Sequence, residues 1–214
     1  MRRIAEIVKL IPECELLADV GCDHGFVASG ALKTGKAKRV IISDISEKSL
    51  RKAIEELKPY GGAVKAIVSD GFNGYDETPN VAVIAGMGGE EIVKILSEYA
   101  KFIETLVLLP HKNPEKVRSY ANANGYKAEK DYTFKDGKKF YDIMLFSRGK
   151  GSLSPLEIKY GADNLKYRPA DFIAKLQAQA AFRREILSTD IGETARAEME
   201  KELLETEEII NGNL

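Results

Sequence analysis

Leu16-Leu17-Ala18-Asp19-Val20-Gly21-Cys22-Asp23-His24-Gly25 is the stretch that decides the fold, because a short apolar run ends abruptly in two glycines set among acidic and polar residues. The apolar run predicts a buried strand, and the glycines predict a tight turn into a helix. Glycines let a ligand approach the backbone closely, while the start of the next helix offers unpaired N–H groups. The stretch therefore predicts a nucleotide-binding strand–turn–helix unit.

The acidic residues of this turn select among nucleotide ligands. Asp23 stands at the central position, where a dinucleotide dehydrogenase has glycine and an anionic pyrophosphate sits on the helix N-terminus. A carboxylate there would repel the pyrophosphate, which disfavours an NAD-dependent dehydrogenase. S-adenosylmethionine carries a positive sulfonium and an ammonium group, so an acidic turn favours it as the cofactor.

Two more carboxylates follow at the ends of the next predicted strands. Val40-Ile41-Ile42-Ser43-Asp44 closes on an acid roughly 20 residues after the turn, where a ribose-binding carboxylate is expected. Val64-Lys65-Ala66-Ile67-Val68 leads into Ser69-Asp70-Gly71, which would place Asp70 near an adenine amino group. Any one of these acids could be a helix cap or a solvated loop residue. Three in order at successive strand ends favour one cofactor site.

The composition predicts a globular chain with a substantial core. The 214 residues are 44% hydrophobic but contain no uninterrupted apolar run of about 18 residues, and the start of the chain lacks the apolar stretch of a signal peptide. Two cysteines and two histidines are too few to predict a metal site or a disulfide framework. We therefore expect a cytoplasmic, monomeric protein that binds neither a membrane nor a metal.

The formal net charge of −1 conceals a difference between two parts of the chain. Residues 156–214 hold 8 Lys/Arg against 12 Asp/Glu, whereas residues 1–155 hold 24 against 21. The basic balance of the longer part is consistent with a polyanionic partner. The candidate cations for such a patch, which could equally be solvated surface residues, are Arg2, Arg3, Lys33, Lys36, Lys38 and Arg39.

Strand and helix patterns alternate through residues 2–124, which predicts a parallel sheet with right-handed crossovers. Two extended segments then meet at Asp136-Gly137, a hairpin that would add antiparallel strands to the sheet edge. Gly149-Lys150-Gly151-Ser152 predicts a linker into a helical remainder, for which two antiparallel helices are the simplest arrangement. The predicted fold is α/β, with a Rossmann-like, mostly parallel sheet in a domain of residues 1–151 and a small helical domain of residues 152–214.

The fourth predicted strand, Val81-Ala82-Val83-Ile84-Ala85, runs into Gly86-Met87-Gly88-Gly89. Enzymes that methylate exocyclic adenine amines often have Asn or Asp here, followed by two prolines and an aromatic residue. This chain has no acid, amide or ring at that point, and its glycines expose backbone groups that suit a flat ring pressed close to the chain. Glycines that simply allow the turn into the next helix would explain the spacing equally well.

Three motifs together resemble the bacterial TrmK family, tRNA methyltransferases that act on N1 of adenine 22. They are Asp19-Val20-Gly21-Cys22-Asp23-His24-Gly25, Ser69-Asp70-Gly71-Phe72 and Ile84-Ala85-Gly86-Met87-Gly88-Gly89. The resemblance covers most of the chain, although Leu108-Leu109-Pro110-His111 stands where the family has Leu-Gln-Pro-Asn. It implies a class I methyltransferase domain, S-adenosylmethionine as cofactor, tRNA as partner, and a coiled-coil-like C-terminal hairpin that helps to hold the tRNA.

The strand ends and the resemblance together give the candidate site. The predicted cofactor-binding residues are Asp19, Gly21, Asp23, Gly25, Asp44, Ile45, Asp70, Gly71, Gly86, Met87 and Gly88. The predicted substrate-binding residues are Arg2, Arg3, Gly88, Gly89, Pro110 and His111. Adenine N1 is a neutral nucleophile, so alignment with the methyl group should give most of the acceleration. The methylated ring is cationic, and the catalytic candidates for accepting its proton are Asp23, His24 and His111, although His24 could simply cap a helix.

Two other functions stay open from the sequence. One is methyl transfer to another small molecule or to a protein, and the other is noncatalytic RNA binding with a vestigial cofactor pocket. Methylation of RNA would favour the predicted activity over methyl transfer to a small molecule or a protein. Binding of the cofactor would favour it over noncatalytic RNA binding.

Overall fold

Seven strands form a single sheet in this computed structural model, which describes residues 2–99 and 103–213. The strands are β1 (Cys14–Val20), β2 (Ala37–Asp44), β3 (Val64–Val68), β4 (Val81–Ala85), β5 (Thr105–Leu109), β6 (Tyr126–Asp136) and β7 (Lys139–Arg148). They lie in the order β3-β2-β1-β4-β5-β7-β6, with β1 to β5 parallel and β7 antiparallel to both neighbours. This confirms the predicted mostly parallel sheet with an antiparallel hairpin at its edge.

Five helices cover the two faces of the sheet. They are α1 (Arg2–Leu10), α2 (Phe26–Lys33), α3 (Glu47–Leu57), α4 (Gly89–Tyr99) and α5 (Pro114–Ala123). Successive side chains of a strand point to opposite faces, so Val83 packs into the core under α1 to α3 while Ile84 packs under α4 and α5. Both residues are fully buried, as expected for central strands of a sheet covered on both sides.

The strand order reverses at β1, which pairs with β2 on one side and with β4 on the other. The connections after β1 and β4 therefore leave in opposite directions, and a crevice opens between them at the carboxyl edge of the sheet. Open α/β sheets bind ligands at this position. The predicted turn after β1 lies at this crevice.

The described part of the helical remainder, residues 152–213, contains four helices rather than the two that the sequence predicted. They are α6 (Pro155–Tyr160), α7 (Ala162–Tyr167), α8 (Ala170–Leu187) and α9 (Glu193–Asn211). The two long helices, α8 and α9, form the predicted hairpin, whereas α6 and α7 pack against α5 and β6. Helices of six residues are too short to show a helical period in a sequence, which explains the error. Within the described residues, no helix has both the length and the apolarity to span a membrane.

A buried polar network joins these helices to the sheet. The guanidinium of Arg118 on α5 donates two hydrogen bonds of 2.8 Å to the carboxylate of Asp131 on β6. Asp142 on β7 lies 3.3 Å from Arg118 and 2.5 Å from the Lys175 amine on α8. The Asn164 side chain on α7 accepts a backbone N–H of β6 at 2.8 Å. The network thus attaches α7 and α8 directly to the hairpin β6–β7.

Candidate active site

The carboxyl edge of the sheet encloses a cavity of about 520 Å³. The three predicted strand-end acids, Asp19, Asp44 and Asp70, all line it. Its volume is within the range of pockets that take a cofactor-sized molecule. The structure therefore brings together the carboxylates that the sequence placed at successive strand ends.

The turn after β1 is held in shape by Asp44. One carboxylate oxygen of Asp44 accepts the Asp23 backbone N–H at 3.2 Å, and the other accepts that of Ser46 at 2.8 Å. Gly21 has φ +71°, a conformation that is strained for any other residue, and a Cβ there would lie 2.2 Å from the Met87 methyl group, which would have to move. Each Asp44 oxygen retains a further lone pair that can accept a hydroxyl of a ligand.

Asp19 is a buried carboxylate in the floor of the cavity. Its side chain accepts the backbone N–H of Ala28 at 3.1 Å, in the first turn of α2. Burial raises the pKa of Asp19 to about 7, and the charge of Asp44 adds to the rise, while the Ala28 N–H opposes it. A cationic ligand in the cavity would favour the ionised form of this acid.

The Asp19→Asn variant is expected to lose a pH dependence of stability. Asp19 ionises near pH 4 in the unfolded chain but keeps its proton to about pH 7 in the folded protein. Its stabilising contribution is therefore complete below about pH 4 and is lost as the pH rises through 7. Urea denaturation without cofactor should show the wild-type advantage over the variant falling by on the order of 2 kcal/mol between pH 5 and pH 8. Asp190→Asn, at an exposed site, is the control, and a difference independent of pH would contradict the assignment.

An aromatic cluster lies at the mouth of the cavity, at the carboxyl end of β5. The His111 ring is tilted against that of Tyr141 at 5.9 Å between centroids, and the Arg3 guanidinium lies 5.6 Å from the Tyr141 centroid. Partial burial lowers the pKa of His111, and the positive charges of Arg3 and Lys139 lower it further. The lowered pKa favours the neutral imidazole of His111, which is the form that can accept a proton.

Asp23 and His24 form a second candidate pair at the mouth. The Nδ1 atom of His24 lies 2.8 Å from an Asp23 carboxylate oxygen, and its ring stacks on Phe26 at 5.6 Å with an angle of 7°. When Nδ1 donates to Asp23, Nε2 is left as an acceptor. Asp23 has φ +47°, a left-handed conformation that is uncommon outside glycine, asparagine and aspartate.

Several predicted site residues do not line this cavity: Gly25, Gly88, Gly89, Pro110 and Arg2. A Cβ on Gly89 would lie 2.2 Å from the Asn113 carbonyl oxygen, so Gly89 serves the packing of two loops. Gly88 forms an isolated bridge with Lys112. The other predicted residues do line the cavity, namely Asp19, Gly21, Asp23, His24, Asp44, Ile45, Asp70, Gly71, Gly86, Met87, His111 and Arg3.

The predicted basic patch is divided between opposite edges of the sheet. Arg3 lies at the mouth of the cavity, whereas Lys38 and Arg39 begin β2 at the far edge and pair with Glu15 and Glu77. The single patch expected from the sequence is therefore wrong, because Arg3 lies at the carboxyl ends of the strands and Lys38 and Arg39 lie at the opposite end of the sheet.

Sequence reasoning assigned Arg3 of α1 to the site but missed the two apolar residues of that helix that line the cavity. Ile4 and Ile7 line it alongside Arg3, which makes the amino-terminal helix a wall of the site. The exposed Phe26 at the start of α2 was also missed. An amphipathic period predicts a helix and its apolar face but not the element against which that face packs, so nothing in the sequence indicated that Ile4 and Ile7 line the cavity.

The strand order and the acid-lined carboxyl edge define a methyltransferase-type nucleotide-binding protein, and residues 1–144 match a family model described as a methyltransferase domain. The chain belongs to this methyltransferase domain family. It is 31% identical to the "Putative tRNA methyltransferase" of Mycoplasma genitalium over 70% of this chain and 70% of that protein. It is 23% identical to the tRNA (adenine(22)-N(1))-methyltransferase of Bacillus subtilis over 69% of this chain and 65% of that protein.

Solved structures share the fold over nearly the whole chain. TrmK of M. capricolum, in complex with S-adenosyl-homocysteine, has a TM-score of 0.90 at 21% identity and covers 99% of this chain and 98% of its own. A tRNA (m1A22) methyltransferase structure from Streptococcus pneumoniae, described as putative, has a TM-score of 0.91 at 22% identity, with coverage of 98% and 99%. The predicted fold class is confirmed, including the helical C-terminal region.

Proposed function

We propose that this chain transfers a methyl group from S-adenosylmethionine to N1 of adenine 22 in tRNA. The observation that carries the proposal is the row of Asp19, Asp44 and Asp70 around one cavity at the carboxyl edge of the sheet. The similarity to proteins named tRNA methyltransferases supports RNA as the acceptor.

The residues of the cavity fit this cofactor. Asp44 has lone pairs left for ribose hydroxyls, and Asp70 is an exposed carboxylate suited to the adenine amino group. Ile45 is 73% exposed beside them and offers an apolar surface for a flat ring. The carboxylates of Asp19 and Asp23 suit a ligand with a positive sulfonium and ammonium group. When bound, the cofactor supplies an electrophilic methyl group.

The acceptor adenine would enter beside the Gly86–Met87 turn. A Cβ on Gly86 would have the His111 ring 3.9 Å away and nothing closer, so the glycine leaves room for a planar group. The N1 edge of a paired adenine is blocked, so the base must be unpaired or flipped to reach this position. The proposed acceptor of a proton from the methylated ring is His111, which contacts Tyr141, or His24, whose Nδ1 contacts Asp23.

The proposal also covers the location, oligomeric state, metal content and domain division of the protein. The protein is a cytoplasmic monomer that uses no metal, and its residues 1–151 and 152–214 form a catalytic and a helical domain. Packing of α6 and α7 on α5 and β6 supports a fixed rather than a flexible attachment of the second domain.

A direct assay tests the proposal. Purified protein is incubated with unmodified tRNA and methyl-labelled cofactor, and the RNA is digested to nucleosides. We expect label in 1-methyladenosine, and we expect a tRNA with guanine in place of adenine 22 to stay unlabelled. Label in another nucleoside, or only in protein or a small molecule, would exclude the assignment, and RNA binding without cofactor binding would indicate a noncatalytic module.

A further inference from the structure

The loop that joins β3 to β4 forms part of the cavity wall, although residues 69–80, all of them described, contain no helix or strand. Asp70 and Gly71, near the start of this loop, line the cavity. The Asp70 side chain is 66% exposed, and its ion pair with Lys94 is long, at 4.0 Å. The position of the Asp70 carboxylate therefore depends on how the loop itself is held against the sheet.

Two points of this loop are attached to one hydroxyl group, that of Ser43 near the end of β2. The Ser43 hydroxyl donates to the Gly71 carbonyl oxygen at 3.3 Å. The same hydroxyl oxygen accepts the Tyr75 phenol at 2.9 Å. Because a carbonyl can only accept, Ser43 must donate to Gly71 and accept from Tyr75. One side chain of β2 thus holds the loop at residue 71 and again at residue 75.

The hydroxyl pair of Ser43 and Tyr75 lies behind the cavity wall. Ser43 is fully buried and does not line the cavity. The Tyr75 ring packs edge-on against the buried Phe72, with 5.4 Å between the ring centroids and an angle of 73°. Burial raises the pKa of Tyr75, so the phenol keeps its proton and remains a donor. A buried polar group that loses its partner carries a desolvation penalty, which makes these hydrogen bonds costly to break.

A second hydroxyl group near Gly71 is engaged elsewhere. The Ser69 hydroxyl lies 3.2 Å from the Gly71 carbonyl oxygen but only 2.7 Å from that of Asn73. A hydroxyl has a single proton to donate, and the shorter contact favours Asn73. Ser43 is therefore the side chain that ties Gly71 to the sheet.

The backbone of Ser43 serves another wall of the cavity. Its carbonyl oxygen accepts the N–H groups of Gly21 at 2.8 Å and of Cys22 at 3.0 Å, in the turn after β1. The next carbonyl, that of Asp44, accepts the Ser69 N–H at 3.1 Å. These contacts use the main chain, so a substitution of the Ser43 side chain leaves their donors and acceptors in place. The role of the hydroxyl can therefore be tested separately from the turn.

We propose that Ser43 is a positioning residue for the cofactor, whose hydroxyl holds the loop of Asp70 and Gly71 at the adenine end of the cavity. This inference rests on the proposed function in one respect, because it places the adenine amino group of the cofactor at Asp70. It does not depend on the methyl acceptor. Ser43 touches no reacting atom, so loss of its hydroxyl should weaken cofactor binding without slowing methyl transfer at saturating cofactor.

The test measures the affinity for S-adenosylmethionine by titration calorimetry and the thermal midpoint of each cofactor-free variant. Ser43→Ala removes both hydrogen bonds to the loop and leaves the Tyr75 phenol without its partner, whereas S43A/Y75F removes both polar groups. Asp70→Ala is made alone and together with Ser43→Ala. Tyr126→Phe is the matched control, because the buried Tyr126 phenol donates to the Ile103 carbonyl at 2.9 Å and does not line the cavity.

We expect Ser43→Ala to weaken cofactor binding about tenfold, and Asp70→Ala to weaken it by a similar factor. S43A/Y75F should regain most of the thermal midpoint lost by Ser43→Ala, because no unpaired phenol remains, but it should not regain the affinity. In the Asp70→Ala background, Ser43→Ala should weaken binding by less than about twofold, since both changes act on one contact. Tyr126→Phe should bind the cofactor as the wild-type protein does.

Three results would overturn the inference. A folded Ser43→Ala protein with wild-type affinity would show that the hydroxyl does not position the loop. Affinity that returns together with stability in S43A/Y75F would show that Ser43 has only a structural role. A full tenfold effect of Ser43→Ala in the Asp70→Ala background would show that Ser43 acts on a different part of the cavity.

Methylation assays separate this inference from the proposed function. Ser43→Ala should raise the KM for S-adenosylmethionine about tenfold, with kcat and the KM for tRNA unchanged, and a lowered kcat would contradict a role in cofactor positioning alone. A wild-type protein that binds the cofactor but methylates no tRNA would exclude the acceptor assignment, while the binding results decide the inference by themselves. A wild-type protein that does not bind the cofactor would overturn both.

Discussion

The Asp44→Ala variant is expected to bind S-adenosylmethionine about 100-fold more weakly than the wild-type protein. Two hydrogen bonds from ribose hydroxyls to an ionised carboxylate contribute on the order of 3 kcal/mol, which corresponds to that factor. The same carboxylate also accepts the backbone N–H groups of Asp23 and Ser46, so its loss releases the turn that forms one wall of the cavity. Titration calorimetry measures the affinity directly.

Two further variants make this result specific. Asp44→Asn keeps one carbonyl oxygen for the turn but loses the charge, so we expect an intermediate affinity. Asp190→Ala removes an exposed carboxylate from the link between α8 and α9 and should leave the affinity unchanged. The thermal midpoint of each cofactor-free variant shows whether it is folded, and an Asp44→Ala protein that is folded and binds normally would remove Asp44 from the site.

The sequence predicted the carboxyl edge well because the information there is local. Short apolar runs marked the strands, and Asp19, Asp44 and Asp70, which lie at or just beyond the carboxyl ends of these runs, all line the cavity. Parallel strands bring their carboxyl ends to one edge, so the meeting of the three acids followed from the strand assignments alone.

Features that depend on distant contacts were not predictable in this way. Gly88 and Gly89 were assigned to the site from their position after β4, but their surroundings are set by the loop that follows β5. A β-bulge between Ala128 and Lys130 shifts the register of β6, so the alternation that would identify the inward-facing residues is broken before Asp131. Asp131 would therefore be interpreted from the sequence as an exposed residue, although the structure buries it.

The Arg118→Met variant should show the largest loss of stability, because Arg118 is fully buried and is the main partner of an equally buried Asp131. Removing one member of a buried ion pair costs about 3–5 kcal/mol, which lowers the thermal midpoint of a chain of this size by on the order of 10 °C. Asp142 keeps its ion pair with Lys175 in this variant. Most of the lost free energy of unfolding therefore comes from Asp131, which is left without a cationic partner. Arg39→Ala, which breaks the exposed pair with Glu77, is the control and should change the thermal midpoint far less, because solvent screens an exposed ion pair.

The double variant R118M/D131L shows whether the loss of stability in Arg118→Met comes from the unpaired charge of Asp131 or from lost packing. Replacing both partners of a buried pair with apolar residues leaves no uncompensated charge, so we expect the double variant to recover more than half of the loss measured for Arg118→Met. A double variant no more stable than the single one would show that the guanidinium acts mainly by filling space. Asp131 also accepts the Ala162 backbone N–H at the start of α7. An unpaired charge on Asp131 should therefore loosen the C-terminal helices first. Limited proteolysis within residues 149–152 should then increase before the sheet unfolds.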